Sequence, residues 1–284
     1  MDVSRPFARL SFGTGEAGPR TLPEEVAVAL SFNGTTQAVM MATPADLIDF
    51  AYGFALTEGI ATPDEIDSVT VVPAAKGIDV QIWLQPQAEA RLARRRRTMA
   101  GPVGCGLCGI DSLDEALRTP VPVTDVSFTM TPAQVMQAIA DLRGAQPLHD
   151  ATRAVHAAGW WSGGLVAVRE DVGRHNALDK LAGHLIRQPR VAGAILLTSR
   201  VSIDLVQKVA ALGAPVIIAV SAPTAHAVTL ADAAGITLIA LARPDRFELF
   251  THPARLIPAE LNPADLIPAD LIPDCLIPET SHVA

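Results

Sequence analysis

The sequence is poor in cysteine and in aromatic residues, and both shortages narrow the classes of protein it can belong to. Of its 284 residues only three are cysteines: Cys105, Cys108 and Cys275. An odd and low number of cysteines does not form the disulfide framework of a small secreted domain. Aromatic residues make up 4% of the chain, too few for a surface on which nucleic-acid bases stack. The remaining possibilities are thiol chemistry or metal binding at the one close pair, Cys105 and Cys108.

Basic residues and long apolar runs are also scarce. The net charge is −8 and the pI is about 5.3, whereas nucleic-acid-binding domains carry basic faces. No apolar run reaches the ~18 residues of a membrane-spanning helix, and the first ten residues lack the apolar core of a signal peptide. We therefore expect a cytoplasmic protein whose partners include neither nucleic acid nor membrane.

The first half of the chain predicts a small α+β unit. The apolar segment at 26–32 is typical of a strand, and Asn33-Gly34 favours a tight hairpin turn into a second strand at 35–41. A helix opened by Thr43-Pro44 and ended by Gly59 follows. Two more strands are predicted within 68–84, and then a helix at 88–97 whose last four residues are arginines.

From about Pro132 onward, predicted strands alternate with predicted helices. This alternation is typical of an α/β layer with a mainly parallel sheet and helices on both faces. The strands are 164–169, 193–198, 215–220 and 236–241, and the helices are 132–143, 175–187, 202–212 and 225–234.

Three parts are predicted along the chain. Residues 1–130 form an N-terminal subdomain and residues 131–255 form the α/β domain. Residues 256–284 repeat with a proline at every fifth position, which forbids a continuous helix and predicts an extended or disordered tail.

Cys105 and Cys108 lie in the segment 101–109, in which four of nine residues are glycine. So much glycine excludes a stable helix or central strand and predicts a mobile loop. A cysteine acts as nucleophile or sulfur carrier only as its thiolate. The arginines at 94–97 would favour the thiolate if they lie nearby in space; the alternative is that they form a solvated helix face. For the cysteines the alternative is a structural metal knuckle or inert thiols.

Other functions of a Cys-x-x-Cys pair fit less well. A four-cysteine zinc site needs a second pair, which the sequence lacks. Zinc deaminases combine His-x-Glu with Pro-Cys-x-x-Cys, but Ala158 replaces the glutamate after His156, and Gly104 precedes Cys105. In thioredoxin-like proteins the pair caps a helix directly after a strand, whereas Cys105 and Cys108 lie in a glycine-rich segment with Gly109 directly after Cys108. A pure scaffolding protein would leave the thiols unexplained.

A second cluster of polar residues occupies 169–180, where a strand ends in charged groups and a helix begins at once. An α/β sheet binds its ligand at such a junction, and a helix N-terminus attracts phosphate. Capping and local ion pairing are the alternative for Asp171 or Asn176 alone. The next strand ends add further polar residues: Ser199, Arg200, Ser221, Pro223, Thr224, Arg243 and Arg246. Together they predict a polar cleft with cationic ends, suited to a phosphate-bearing ligand.

These motifs resemble those of the formate dehydrogenase accessory sulfurtransferases. The resemblance lies in the segments 104–109 (GCGLCG), 170–180 (EDVGRHNALDK), 221–224 (SAPT) and 243–247 (RPDRF). Asn33-Gly34, Thr43-Pro44 and Glu58-Gly59 also match, so the resemblance covers roughly residues 20–255. The segment 170–180 is long and highly specific, whereas Cys-x-x-Cys alone would be weak.

The resemblance implies a cytidine-deaminase-like α/β fold, a homodimer and a sulfurtransferase activity. A cysteine desulfurase would load a persulfide onto Cys105, with Cys108 as the second catalytic candidate. The sulfur would pass to a bound client, the molybdenum cofactor as bis-molybdopterin guanine dinucleotide, before its insertion into formate dehydrogenase. No permanent metal is expected. The cofactor-binding candidates are Arg174, His175, Asn176, Lys180, Ser221, Thr224, Leu241, Ala242, Arg243, Pro244, Asp245 and Arg246.

Overall fold

The structure is a computed structural model that describes residues 1–10, 17–98, 120–124, 127–189 and 191–257. Its strands are β1 Ser4–Leu10, β2 Ala17–Pro23, β3 Val26–Phe32, β4 Thr35–Ala42, β5 Ile66–Ala74, β6 Gly77–Leu84, β7 His156–Trp161, β8 Leu165–Asp171, β9 Ala194–Leu197, β10 Val216–Ala219, β11 Thr237–Arg243 and β12 Arg246–Leu249. Its helices are α1 Leu47–Thr57, α2 Pro86–Thr98, α3 Pro132–Arg143, α4 Pro147–Thr152, α5 Arg174–Leu185, α6 Ile203–Leu212 and α7 Ala225–Ala233. This arrangement confirms the predicted mixed α/β class.

A four-stranded sheet of order β4-β3-β6-β5 forms the N-terminal half. The predicted β3–β4 hairpin is confirmed, because Asn33 and Gly34 adopt the positive φ angles, 47° and 75°, that such a two-residue turn requires. Helix α1 covers one face of this sheet. Phe32, Phe50 and Phe54 meet between them and are almost fully buried, so the alternating apolar residues of β3 and β6 form a closed core.

The first helix begins later than predicted. Thr43-Pro44 does not open it: α1 starts at Leu47, after Asp46 in a left-handed conformation with φ 53°. The reason is tertiary, because Thr43 is fully buried and its backbone N–H donates to the Asp171 carboxylate at 3.0 Å. That bond holds the segment before α1 out of the helix.

An antiparallel hairpin of β1 and β2 precedes this sheet and has no counterpart in the sequence prediction. Its strands carry Pro6, Pro19 and Pro23, residues that disfavour a central strand. A two-stranded ribbon tolerates them because it consists only of edges. The prolines therefore argued against a strand pair that the structure contains.

The C-terminal half contains a six-stranded sheet of order β12-β11-β10-β9-β7-β8. Strands β9, β10 and β11 pair in parallel, whereas β7 is antiparallel to both β8 and β9, and β12 is antiparallel to β11. The prediction of a mainly parallel sheet therefore needs correction. The four predicted strands do run in one direction, but β7 lies between β8 and β9 and reaches β8 through a short turn at Ser162–Gly164.

Helices cover both faces of this sheet, as predicted. Helices α5, α6 and α7 pack on one face through residues such as Leu181, Leu205 and Leu230, and α3 packs on the other through Val135 and Ile139. Val123 packs in the core on the side of α5, α6 and α7, and Met130 packs in the core on the side of α3. Within the described residues no helix is long and apolar enough to cross a membrane.

The two halves meet where α1 crosses α5, and two glycines allow their backbones to touch. A Cβ atom added to Gly53 would lie 1.7 Å from the carbonyl oxygen of Asp179, and one added to Gly183 would lie 1.8 Å from that of Asp49. Any side chain at either position would force the helices apart. The contact therefore fixes how the N-terminal half sits against the junction of β8 and α5.

A buried ion cluster lies beside this contact. The Lys208 ammonium of α6 lies 2.7 Å from Glu58 and 2.9 Å from Asp179, and it also donates to the Thr57 hydroxyl at 3.0 Å. Burial opposes the charge on Lys208, yet the charges of Asp179 and Glu58 raise its pKa. Burial also raises the pKa of Asp179, against the pull of Lys208. The cluster ties α1 to α5 and α6 in the interior.

Candidate functional site

The polar strand ends predicted from the sequence gather at one edge of the six-stranded sheet. Because β8, β9, β10 and β11 run in one direction, the loops that follow them emerge on the same side, where α/β sheets bind ligands. The loops after β9 and β10 are joined by backbone bonds, with Val201 N–H donating to Ala222 O at 3.2 Å and Thr224 N–H donating to Val201 O at 3.0 Å. These two loops therefore form one connected surface, and we call the edge formed by the loops after β8, β9, β10 and β11 the rim.

Asp171 ends β8 and organises the junction with α5. Its fully buried carboxylate accepts four hydrogen bonds: from Thr43 N–H at 3.0 Å, Gly173 N–H at 2.7 Å, Asn176 Nδ2 at 3.0 Å and Lys180 Nζ at 2.5 Å. Each oxygen takes two donors, so its acceptor capacity is filled. This satisfied network offsets the cost of burying an ion pair.

Asn176 and Lys180, two predicted cofactor-binding residues, lie inside this network. Asn176 Nδ2 also donates to Met41 O at 2.9 Å, and Lys180 Nζ also donates to Thr43 O at 2.8 Å. Asn176 is 2% exposed and Lys180 is 0% exposed. The structure therefore places both in the interior, where they fasten the junction to the N-terminal half. Contact between either side chain and a ligand stays a prediction that this placement does not favour.

Arg174 and His175 are the residues of this segment that stand at the rim. They open α5, and both are partly exposed. The Nε atom of Arg174 is buried and has no hydrogen-bond partner among the described residues. An unpaired guanidinium donor beside a helix N-terminus is suited to an anion.

His175 lies against Asp204, which belongs to the first turn of α6. Its Nε2 contacts the Asp204 carboxylate, and only 16% and 21% of the two side chains are exposed. Burial acts to raise the pKa of Asp204, but the hydrogen bond and charge of His175 outweigh it and hold that pKa well below its usual range. Asp204 is therefore ionised whenever the protein is folded at ordinary pH. Asp204 was not among the site residues predicted from the sequence.

His156 was also left out of the predicted site, and the structure places it at the same edge. It is the first residue of β7, paired in register with Asp171 of β8. Burial lowers its pKa, and the nearby charges of Arg174, His149 and His175 lower it further. Recognition of 156–161 as a strand running against β8 would have found it, because its first residue must then meet the end of β8.

His149 joins this group from α4. Glu170 of β8 accepts hydrogen bonds from the backbone N–H groups of Leu148 at 2.9 Å and His149 at 2.7 Å. The Nδ1 atom of His149 lies 3.2 Å from Val155 O. Helix α4 is thereby anchored at the rim beside His156.

The segment 241–246 forms the far end of the rim. Leu241 has a left-handed φ of 51°, rare for a leucine, where the ladder of β11 with β12 shifts register. Arg243 donates to Val220 O at 2.6 Å and to Ala242 O at 2.9 Å, which ties this segment to the loop after β10. The backbone strain is held by tertiary contacts, as is common at ligand sites.

The remaining predicted residues of this end differ in exposure. Ala242 is buried, whereas Pro244, Asp245 and Arg246 are exposed at the hairpin between β11 and β12, with Arg246 3.1 Å from Asp245. Ser221 is partly exposed, and its carbonyl oxygen accepts from Leu241 N–H at 3.4 Å. Thr224 caps α7 through Ala227 N–H at 3.2 Å. Arg246 is the side chain here that is most accessible to an anionic ligand.

Cys105, Cys108 and Cys275 lie outside the described residues, so the predicted thiol site and its loop stay predictions. Within the part of the chain that the structure describes, no group of three or more His, Cys, Asp or Glu side chains is arranged to hold a metal ion.

Comparison with known proteins gives consistent matches over most of the chain. A family model described as the FdhD/NarQ family matches residues 23–257. A protein of Agrobacterium fabrum named sulfur carrier protein FdhD is 52% identical over 250 residues, 86% of this chain and 92% of the relative. One of the same name from Brucella abortus is 53% identical over 243 residues, 84% of this chain and 90% of the relative.

A solved structure also matches. The crystal structure of a putative formate dehydrogenase accessory protein from Desulfotalea psychrophila superposes with a TM-score of 0.73 at 26% identity. The match covers 90% of this chain and 100% of the other.

Proposed function

The chain belongs to the FdhD/NarQ family, and on that premise we propose that it is a sulfur carrier serving formate dehydrogenase. The observation that carries the proposal is identity of about half the residues, over more than four-fifths of the chain, with relatives named sulfur carrier proteins. The name of the Desulfotalea psychrophila structure supports formate dehydrogenase as the client.

The carrier step belongs to Cys105, with Cys108 as the second thiol of the pair. The thiolate of Cys105 attacks the outer sulfur of a cysteine desulfurase persulfide, and the desulfurase cysteine leaves as a thiolate. This transfer moves one sulfane sulfur and is redox-neutral. When the sulfur passes on to the cargo, Cys105 returns to a thiolate, and conversion of the sulfane sulfur to sulfide needs two electrons, which a reduced molybdenum centre of the cargo would supply. In this sense the protein is a sulfurtransferase.

The polar rim supplies the binding site for the cargo. Bis-molybdopterin guanine dinucleotide carries phosphates, and the rim presents Arg174 and His175 at one end and Arg243 and Arg246 at the other. Charge-assisted hydrogen bonds from such groups are the strong ones in phosphate recognition. The parallel strands hold these ends at fixed separation, which suits a long dinucleotide better than a single phosphate.

The partners follow from this role. A cysteine desulfurase gives the sulfur and formate dehydrogenase receives the finished cofactor, both in the cytoplasm. We further propose a homodimer, as the family resemblance implies.

Intact-mass measurement after incubation with a cysteine desulfurase and cysteine tests the carrier step. We expect a species heavier by one sulfur atom, about 32 Da, which disappears on reduction with dithiothreitol and is absent from Cys105→Ser. Cys275→Ser is the matched control and should load normally. Failure of the unmodified protein to gain sulfur would favour a chaperone that only holds the cofactor.

A further inference from the structure

Thr43 of the N-terminal half contacts the junction of β8 and α5 through three of its atoms. Its side-chain Oγ1 accepts a hydrogen bond from the backbone N–H of Val172 at 3.2 Å. Its own N–H donates to the Asp171 carboxylate at 3.0 Å, and its carbonyl oxygen accepts from Lys180 Nζ at 2.8 Å. Thr43 is fully buried. One residue thus holds the end of β8, the turn that follows it and the second turn of α5.

The turn at Val172 and Gly173 depends on these outside contacts. Helix α5 begins after Gly173, which has no side chain with which to cap the helix. A Cβ atom added to Gly173 would lie 2.8 Å from Nδ2 of Asn176, an amide that is itself held by Met41 O at 2.9 Å. Among the described residues, Thr43 Oγ1 is the acceptor of the Val172 N–H. The segment 41–43 of the N-terminal half therefore supports the start of α5 from beneath.

Arg174 follows this turn directly, and its side chain stands at the rim. Its Nε is buried and has no hydrogen-bond partner among the described residues. Because Arg174 is the first residue of α5, the direction of its guanidinium depends on the backbone of the two turn residues before it. A guanidinium binds phosphate through N–H groups in a fixed planar arrangement, so its affinity depends on direction as well as charge. A displaced turn should therefore weaken phosphate binding without the loss of any charge.

We propose that Thr43 is a positioning residue of the cargo site, which holds the turn between β8 and α5 so that Arg174 faces a phosphate of the cargo. The inference rests on the proposed function, in which the rim binds a nucleotide-bearing cofactor. It also gives the Thr43-Pro44 motif a role. A residue before proline favours extended backbone, which keeps the N–H and carbonyl groups of Thr43 out of a helix and available to Asp171 and Lys180.

Thr43→Val tests the hydroxyl group alone. Valine has nearly the same shape as threonine, and the backbone bonds of residue 43 to Asp171 and Lys180 remain. Loss of the acceptor releases the Val172 N–H. We expect calorimetric affinity for GDP to fall by about threefold to tenfold, the equivalent of one ordinary hydrogen bond. Thr43→Ser keeps the hydroxyl and should restore most of the affinity.

Thr251→Val is the matched control, because it removes the same kind of bond at a distance from the rim. Thr251 is also buried, and its Oγ1 accepts from the backbone N–H of Leu238 at 2.9 Å. It lies beside the start of β11, at the opposite end of the six-stranded sheet from the rim. This variant should lose stability but bind GDP like the parent. Affinity that is unchanged in Thr43→Val, or reduced equally in Thr251→Val, would overturn the inference.

Amide hydrogen exchange of the ligand-free protein, followed residue by residue with NMR, tests the same contact without nucleotide. In Thr43→Val the amide of Val172 should exchange faster than in the parent, whereas the amides of β10 should keep their protection. That result would uphold the hold of Thr43 on the turn even if the parent failed to bind GDP, a failure that would count against the nucleotide cleft of the proposed function. Parent-like exchange at Val172 in Thr43→Val would overturn the inference itself.

Discussion

Arg174 and Lys180 lie six residues apart in one motif, yet their environments differ completely. Lys180 is fully buried on Asp171, whereas Arg174 opens its helix at the rim with an unpaired Nε. The sequence marks both as polar residues after a strand, which is why both were predicted to bind the cofactor. It cannot show that Thr43 and Met41, more than a hundred residues earlier, supply the carbonyl groups that draw Lys180 and Asn176 inward.

The exposed cations of the rim should carry the affinity for phosphate. Arg174→Ala and Arg246→Ala should each weaken GDP binding by about 1.5–3 kcal/mol, roughly tenfold to more than a hundredfold, because each removes a charge-assisted bond. Calorimetry measures this directly. Lys76→Ala, which removes the same charge from the β5–β6 turn of the other sheet, is the control and should leave the affinity unchanged. Parent-like affinity in both arginine variants would place the ligand elsewhere.

Secondary-structure elements divide into those with a local signal and those without one. Helix α3 begins at Pro132 and ends at Arg143, as predicted, because a capping box of Thr131 and Gln134 opens it. Strand β7 was missed because Gly159, Trp160 and Trp161 are buried on both faces and give no alternation. Its position between β8 and β9 is what brings His156 to the rim, so this one missed strand also removed a residue from the predicted site.

The glycine contact between α1 and α5 should be sensitive to a single methyl group. Gly183→Ala should lower the free energy of unfolding by about 1–3 kcal/mol, because its Cβ would collide with Asp49 O and the helices must separate. Urea denaturation measures the loss. Gly164→Ala is the matched control, since an added Cβ there meets nothing within 4 Å. Equal stability of the two variants would show that the helices do not meet at their backbones.

The ion cluster beside that contact should give a pH-dependent penalty when its cation is removed. Lys208→Met leaves the buried Asp179 uncompensated and should cost about 3–5 kcal/mol at pH 8. Burial already raises the pKa of Asp179, and loss of Lys208 raises it further. An acid whose pKa is raised by folding loses stability as pH rises through that value, so the penalty should shrink at pH 5. A penalty independent of pH between 5 and 8, measured by urea denaturation, would contradict this.

At the scale of the whole molecule, the last described residues of the chain pack against Met130 of the C-terminal half. Leu256 pairs with Met130, and Ile257 N–H donates to Met130 O at 2.8 Å, so the first two residues of the predicted tail belong to the folded body. The proline period marks a change in the sequence at about residue 256, but a repeat in the sequence does not show where tertiary contacts stop. The boundaries at 130 and 255 stay predictions.

Two truncations separate the body from the repeat. Deletion of residues 258–284 should leave the melting temperature and formate dehydrogenase activation unchanged, because the Met130 contacts remain. Deletion of 256–284 removes the Leu256 contact and should lower the melting temperature by a few degrees. Differential scanning calorimetry compares the two. A large loss of stability in the shorter deletion would mean that the repeat packs on the body.

Activation of formate dehydrogenase in cells lacking the native protein tests the sulfur-carrier account most directly. Serine resembles cysteine in size but forms no persulfide, so Cys105→Ser should fold, bind GDP like the parent and fail to activate the dehydrogenase. Cys108→Ser should reduce activation less, and Cys275→Ser should match the parent. Full activation by the variant in which both Cys105 and Cys108 are serine would contradict sulfur carriage by this thiol pair.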